Sequence, residues 1–202
     1  MKIPGVILAG GRATRMGGGD KGLRIVAGQR LLDHVIARIA PQCGALALNA
    51  NGDGARFVEF GLPVLADSLA GYPGPLAGVL AGLDWAAEAG AEAIVSVAAD
   101  TPFFPADLVL RLQAAAGPSG LCLAASEGEG GRMFRQPTFG LWPVALRHDL
   151  RTALEGGLRK VVIWTERHQA GQAGFRGVSF DPFFNINTPE DIVEAERLVA
   201  GS

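Results

Sequence analysis

The chain has 202 residues, 49% of them hydrophobic and 19% charged, with a net charge of −2. A chain of this length buries about 70% of its unfolded surface and needs no disulfide or metal to hold a core, so one domain over residues 1–202 is expected. The composition excludes a disordered chain, and the near-neutral charge excludes the broad basic field of a nucleic-acid binder.

No apolar run approaches the ~20 residues of a membrane span. Met1 to Gly5 leads straight into a strand-like stretch, so neither a signal peptide nor a membrane partner is expected and the protein is placed in the cytoplasm. Cys43 and Cys122 fit no metal-ligand spacing and read as small core residues. His34, His148 and His168 are scattered, which argues against zinc.

In chain order, residues 3–9 form a short apolar run closed by Gly10-Gly11, consistent with a buried strand. Residues 10–22 hold six glycines and read as a loop. Apolar residues at 31, 32, 35, 36 and 39 have helical spacing. Strands are expected at 45–49 and 62–65, then a helix opened by Pro75 at its first position. A strand over 93–98 runs into Asp100-Thr101-Pro102, and a helix over 105–116 and a strand over 121–125 follow. Residues 126–136 are a polar, glycine-rich loop or hairpin, and 137–142 a strand. A helix over 143–154 precedes a segment, 157–166, whose apolar run suits helix or strand equally. A strand over 177–180 comes before a last helix with Thr188 as cap, Pro189 first and acids in its first turn. Strands alternating with helices predict an α/β fold, a mostly parallel sheet covered on both faces, with one strand of the 126–142 region running antiparallel. Ligands of such sheets bind beyond the carboxyl ends of the strands.

One of those ends carries Leu8-Ala9-Gly10-Gly11, then Arg15-Met16-Gly17, then Asp20-Lys21. Glycines let backbone N–H groups approach a phosphate chain, and arginine and lysine supply a fork and a point charge. Lys21 is one of only three lysines among 18 basic residues, which suggests that an ammonium is wanted there. The Walker and dinucleotide patterns are both absent. Other strand ends bring Asn49, Asp67 and Asp100. A carboxylate such as Asp100 beside a phosphate loop can place Mg²⁺ on phosphate oxygens; its plainer role is a cap on the helix near Pro105. Asn49 and Asp67 can meet a base or a ribose, or merely organise turns.

These blocks resemble the MobA-like nucleotidyltransferases, and within them the branch that guanylylates the molybdenum cofactor. The resemblance continues through Asn49-Ala50-Asn51, Asp67-Ser68, Gly74-Pro75-Leu76-Ala77-Gly78, Gln136-Pro137 and Asn185-Ile186-Asn187-Thr188. It implies a Rossmann-like three-layer α/β/α fold of the nucleotide-diphospho-sugar-transferase type. The reaction it implies takes GTP and molybdopterin as substrates with Mg²⁺ as cofactor, and involves transient contact with proteins that insert molybdenum or mature molybdoenzymes. The nucleotide residues would be Leu8, Ala9, Gly10, Gly11, Lys21, Asn49, Asp67 and Asp100, with Lys21, Asp100 and Arg15 catalytic and Asp100 on the metal. Arg135, Gln136, Asn185 and Asn187 are the acceptor-side candidates. Ala98-Ala99 stand where the family often has Pro-Cys, and residues 126–135 match no family pattern. A cytidylyltransferase, another small-molecule nucleotidyltransferase and a non-catalytic GTP-binding regulator remain the alternatives.

Overall fold

The computed structural model describes residues 2–10, 20–69, 71, 74–177 and 180–200. Its strands are β1 (Gly5–Leu8), β2 (Ile25–Val26), β3 (Gln29–Arg30), β4 (Leu46–Asn49), β5 (Val64–Leu65), β6 (Ala93–Ala98), β7 (Cys122–Glu127), β8 (Met133–Pro143) and β9 (Gly171–Phe175). The helices are α1 (Leu31–Ile39), α2 (Pro75–Glu88), α3 (Leu108–Ala114), α4 (Arg147–Glu155), α5 (Val161–Arg167) and α6 (Pro189–Ala200). The main sheet runs β5-β4-β1-β6-β8-β7-β9, and β2 and β3 form a separate hairpin. All neighbours in the main sheet are parallel except at β8, which is antiparallel to both β6 and β7. The irregular 126–142 stretch is therefore a β7–β8 hairpin that supplies the one reversed strand.

Alternation along the strands sends side chains to two apolar layers. Ile7, Leu48, Val97, Ala124 and Phe139 pack with Leu32, Val35 and Ile39 of α1 and Leu108 and Leu112 of α3. Val6, Ile94, Leu123 and Trp142 pack with α2, with Leu150 and Leu154 of α4, and with Val161 and Trp164 of α5. Trp142 and Trp164 stack at 6.2 Å between centroids, so these tryptophans are packing residues. Both cysteines are buried and unpaired, and burial pushes their thiols up to about 12 (Cys43) and about 11 (Cys122).

Two readings change. The apolar run of the 157–166 segment resolves as helix α5, which begins only at Val161. The strand expected at 177–180 lies instead at β9; Gly177 is outside any strand, and residues 178–179 are outside the described residues. The β9 sequence, Gly-Gln-Ala-Gly-Phe, has no β-branched residue, so its strand signal is weak. Its alternation survives only in Ala173 and Phe175, which are buried.

Helix α2 lies unusually close to the sheet. A Cβ at Gly82 would sit 2.7 Å from Val6 Cγ2 and 2.8 Å from Ile94 Cδ1. Gly82→Ala therefore overpacks the layer, at a cost of about 1–3 kcal/mol, only partly offset by roughly 1 kcal/mol of helix propensity. A lower urea midpoint with unchanged slope is expected. An unchanged or higher midpoint would contradict the close approach.

Candidate active site

Asp100 stands two residues beyond β6, and Lys21 opens a short 3₁₀ turn, Lys21–Leu23. Lys21 Nζ donates to Asp100 Oδ2 at 3.1 Å and also to Asn187 Oδ1. Both charged side chains are four-fifths buried. Asn187 is delivered by the entrance to α6. Its N–H and that of Thr188 donate to Asp191 Oδ2 (2.8 Å each), and Asp191 N–H returns to Thr188 Oγ1 (3.2 Å). That reciprocal capping pattern fixes the backbone and leaves the Asn187 side chain for the lysine. Ile186 N–H also donates to the Asp100 carbonyl at 2.9 Å, so this strap is pinned directly to the end of β6. Asn185 is exposed beside it. Asp100 does not cap α3, whose N-cap is Asp107.

A second cluster forms beyond β4 and β5. Asn49, 4% exposed, donates from Nδ2 to Asp67 Oδ1 (2.9 Å) and to the Leu65 carbonyl (3.1 Å). Asn51 donates to Asp67 Oδ2 (2.7 Å) and accepts from Asp67 N–H (2.9 Å). Each carboxylate oxygen of Asp67 thus takes one amide donor and keeps acceptor capacity for another. Next door, Ser68 donates to Asp84 of α2 at 2.6 Å, which holds the loop that carries Asp67. Gly78 permits this arrangement, because a Cβ there would collide with Asn49 Oδ1.

Leu8 and Ala9 are less available than expected. Ala9 N–H donates to the Asn49 carbonyl at 2.8 Å, and the Leu8 carbonyl accepts from Ala99 N–H at 3.1 Å. The sheet ladder occupies those groups because the strand pairing extends to its very end. Gly10 is exposed just past the ladder, while Gly11 and Arg15 lie outside the described residues.

The acceptor-side candidates divide. Gln136 donates to Ser126 Oγ (3.0 Å), whose hydroxyl donates to Asp181 Oδ2 (3.4 Å). Arg135 points to the opposite sheet face, as its place one residue away along β8 requires. It pairs there with Glu166 of α5 (2.7 Å) and with Gln172 of β9 (3.4 Å). The structure brings Lys21, Asp100 and Asn187 together, and likewise Asn49, Asn51 and Asp67, but it does not bring Arg135 to either group.

Sequence reasoning passed over Arg56, and it had Asp20 only as part of the Asp20-Lys21 block, with no role of its own. Arg56 Nε donates to Asp20 Oδ2 at 2.6 Å, and its Nη2 donates to the Asn51 carbonyl at 2.7 Å. No periodicity or motif marks that arginine. Asn51 had a signal in the repeated asparagines of Asn49-Ala50-Asn51.

Among the described residues no group of three or more His, Cys, Asp or Glu side chains is arranged to hold a metal ion. Asp100 is a single carboxylate beside a lysine. That donor set suits Mg²⁺ arriving with phosphates, since this ion keeps waters and takes one or two carboxylates plus phosphate oxygens. No helix among the described residues is long and apolar enough to cross a membrane.

The model of the MobA-like NTP transferase domain matches residues 5–170. A molybdenum cofactor guanylyltransferase of Bradyrhizobium sp. (strain ORS 278) is 55% identical, covering 98% of this chain and 93% of its own. One of Rhodopseudomonas palustris (strain BisB5) is 54% identical, covering 96% and 93%. Among solved structures, molybdopterin-guanine dinucleotide biosynthesis protein A of Archaeoglobus fulgidus superposes with a TM-score of 0.74 at 20% identity, covering 99% of this chain and all of the other. The 2-C-methyl-D-erythritol 4-phosphate cytidylyltransferase of Thermus thermophilus superposes with a TM-score of 0.70 at 21% identity, covering 99% and 100%. At those identities the structural likeness speaks for the fold.

Proposed function

The chain belongs to the MobA-like NTP transferase family, and on that premise we propose that it transfers GMP from GTP to the phosphate of molybdenum-carrying molybdopterin, releasing pyrophosphate. The observation that carries this reading is the division of one sheet end into two sites. One is a lysine–carboxylate pair suited to phosphates, and the other a carboxylate aligned by two amides.

Asp67 reads guanine. Its two oxygens accept from the N1–H and the 2-amino group, a pair of donors that adenine does not present. Lys21 donates to phosphate oxygens and offsets their charge, and Asn187 holds its ammonium in place. Gly10, Gly11 and Arg15 belong to the same phosphate site. Asp100 would hold Mg²⁺, which when bound supplies further neutralisation of phosphate charge. An oxygen of the acceptor phosphate forms a bond to the α-phosphorus as the bond from that phosphorus to pyrophosphate breaks. That oxygen is already an anionic nucleophile, so positioning and electrostatics suffice and no general base is needed. Gln136, Asn185 and Asn187 face the acceptor, and Arg135, held by Glu166, supports β8 from behind. The reaction takes place in the cytoplasm.

The test is to mix the purified chain with GTP, Mg²⁺ and molybdopterin and to count pyrophosphate against dinucleotide formed. Equal amounts are expected. No pyrophosphate would overturn the enzyme reading, and faster release from CTP would replace it with a cytidylyltransferase.

A further inference from the structure

We propose that Arg56 is a positioning residue that ties the lysine side of the nucleotide site to its base side. The inference rests on the reading of that site given above. Arg56 lies in the 3₁₀ segment Gly54–Phe60, whose start is capped by Asp53 Oδ1 accepting from Ala55 N–H at 2.9 Å. Its guanidinium carbon sits 4.5 Å from the ring centroid of Phe57, which is fully buried. The fork is thus anchored to the core from below and spreads its donors in three directions. Nε and Nη2 take the two oxygens of Asp20 at 2.6 and 3.5 Å. Nη2 also takes the Asn51 carbonyl at 2.7 Å, and Nη1 takes the Asp53 carbonyl.

Each partner leads to one half of the site. Asp20 precedes Lys21, and its carbonyl accepts from Leu23 N–H at 3.2 Å, so Asp20 sets where the turn carrying Lys21 begins. Asn51 is bonded twice to Asp67, the carboxylate assigned to the base. The path from Lys21 through Asp20, Arg56 and Asn51 to Asp67 is continuous, and its one ion pair is only about three-quarters buried. A pair that exposed contributes little to global stability. What the arrangement does supply is a fixed distance between the ammonium and the base-reading carboxylate. A planar fork holds separate donors at fixed spacing and angle to these acceptors, which the single compact ammonium of a lysine does not.

The experiment compares Arg56→Gln, Arg56→Lys, Asp20→Asn and the double variant Asp20→Asn/Arg56→Gln. It reads kcat, KM for GTP, the GTP-over-ATP ratio and the melting temperature. Misplacing a reacting group by an ångström costs on the order of 10²-fold, so kcat should fall by roughly 10- to 100-fold in both Arg56→Gln and Asp20→Asn. Melting temperatures should stay within about 4 °C of wild type. The base side separates the two variants. Arg56→Gln also loosens Asn51 and should lower the GTP-over-ATP ratio by about tenfold, whereas Asp20→Asn should leave it within about twofold. Arg56→Lys should remain depressed in kcat, and the double variant should be no slower than Arg56→Gln alone. Multiplied losses in the double variant, or wild-type kcat in Asp20→Asn, would overturn the proposal. So would tighter GTP binding by Asp20→Asn, which would make Arg56 a direct phosphate ligand restrained by Asp20. A wild-type chain that binds no GTP in calorimetry would instead remove the nucleotide reading, and this inference with it.

Discussion

Asp100→Ala is expected to lower turnover by about 10³-fold or more, because neutralising phosphate charge through a bound cation is worth several kcal/mol and 4.1 kcal/mol is a thousandfold. The fold should survive. Asp100 lies at a strand end beyond the apolar layers, so truncating it removes no core volume. What is lost in the free protein is one part-buried ion pair to Lys21, worth about 1 kcal/mol, and the hydrogen bond that Thr101 Oγ1 donates to Asp100 Oδ1 at 3.4 Å, together a few degrees of melting temperature. Lys21→Ala makes an informative partner. It deletes charge-assisted hydrogen bonds of about 1.5–3 kcal/mol each, so GTP should bind roughly ten- to a hundredfold more weakly while some turnover persists. The two are measured by steady-state rates at saturating Mg²⁺ and by calorimetry with GTP. Wild-type turnover in Asp100→Ala would sink the assignment of Asp100 to the metal. A Lys21→Ala protein with unchanged GTP affinity would move Lys21 off the phosphates.

The architecture was legible because apolar runs and helical spacing repeat along most of the chain. β6 matches its expected bounds, and Pro75 opens α2 as expected. The places that escaped have physical reasons. A two-residue strand carries no periodicity, so the β2–β3 hairpin went unread; in the structure Ala27 and Gly28, both at positive φ, make its tight turn. β9 was displaced because two of its five residues are glycines. In the site, motif resemblance named Lys21, Asp100 and Asn187, yet 79 and 166 positions separate the lysine from its two partners. Only the fold shows them in contact. Arg135 and Gln136 are adjacent in sequence and looked equivalent. The pleat sends them to opposite faces, and that alternation becomes readable once β8 is known to start at Met133 and not near Pro137. Arg56 had no signal at all, since its partners lie on two separate loops.

The GTP-over-ATP ratio of the wild type should be roughly 10⁴, the discrimination available to a site built to hydrogen-bond groups that the wrong ligand lacks. Asp67→Asn should lower that ratio by about 100-fold, as expected when a carboxylate acceptor is exchanged for an amide whose N–H faces the donors of guanine. The substitution keeps size and shape. The remaining side-chain oxygen keeps one of the two amide donors, Asn49 on Oδ1 or Asn51 on Oδ2, and the residue 67 N–H still donates to Asn51 Oδ1, so the loop should hold its place. Asp67→Ala would be a poorer test, because it leaves one of the two N–H donors of the Asn49 amide, only 4% exposed, without its partner. The ratio decides where Asp67 points. A carboxylate on the ribose would weaken GTP and ATP alike and leave the ratio untouched, and only a contact with the base edge changes the two ligands differently. Thermal-shift titrations with GTP, ATP and CTP measure this without the acceptor, since a ligand at 100 times its dissociation constant adds about 2.7 kcal/mol of stability. Equal stabilisation of the wild type by GTP and CTP would refute guanine recognition outright, and an unchanged ratio in Asp67→Asn would reassign the carboxylate to the sugar.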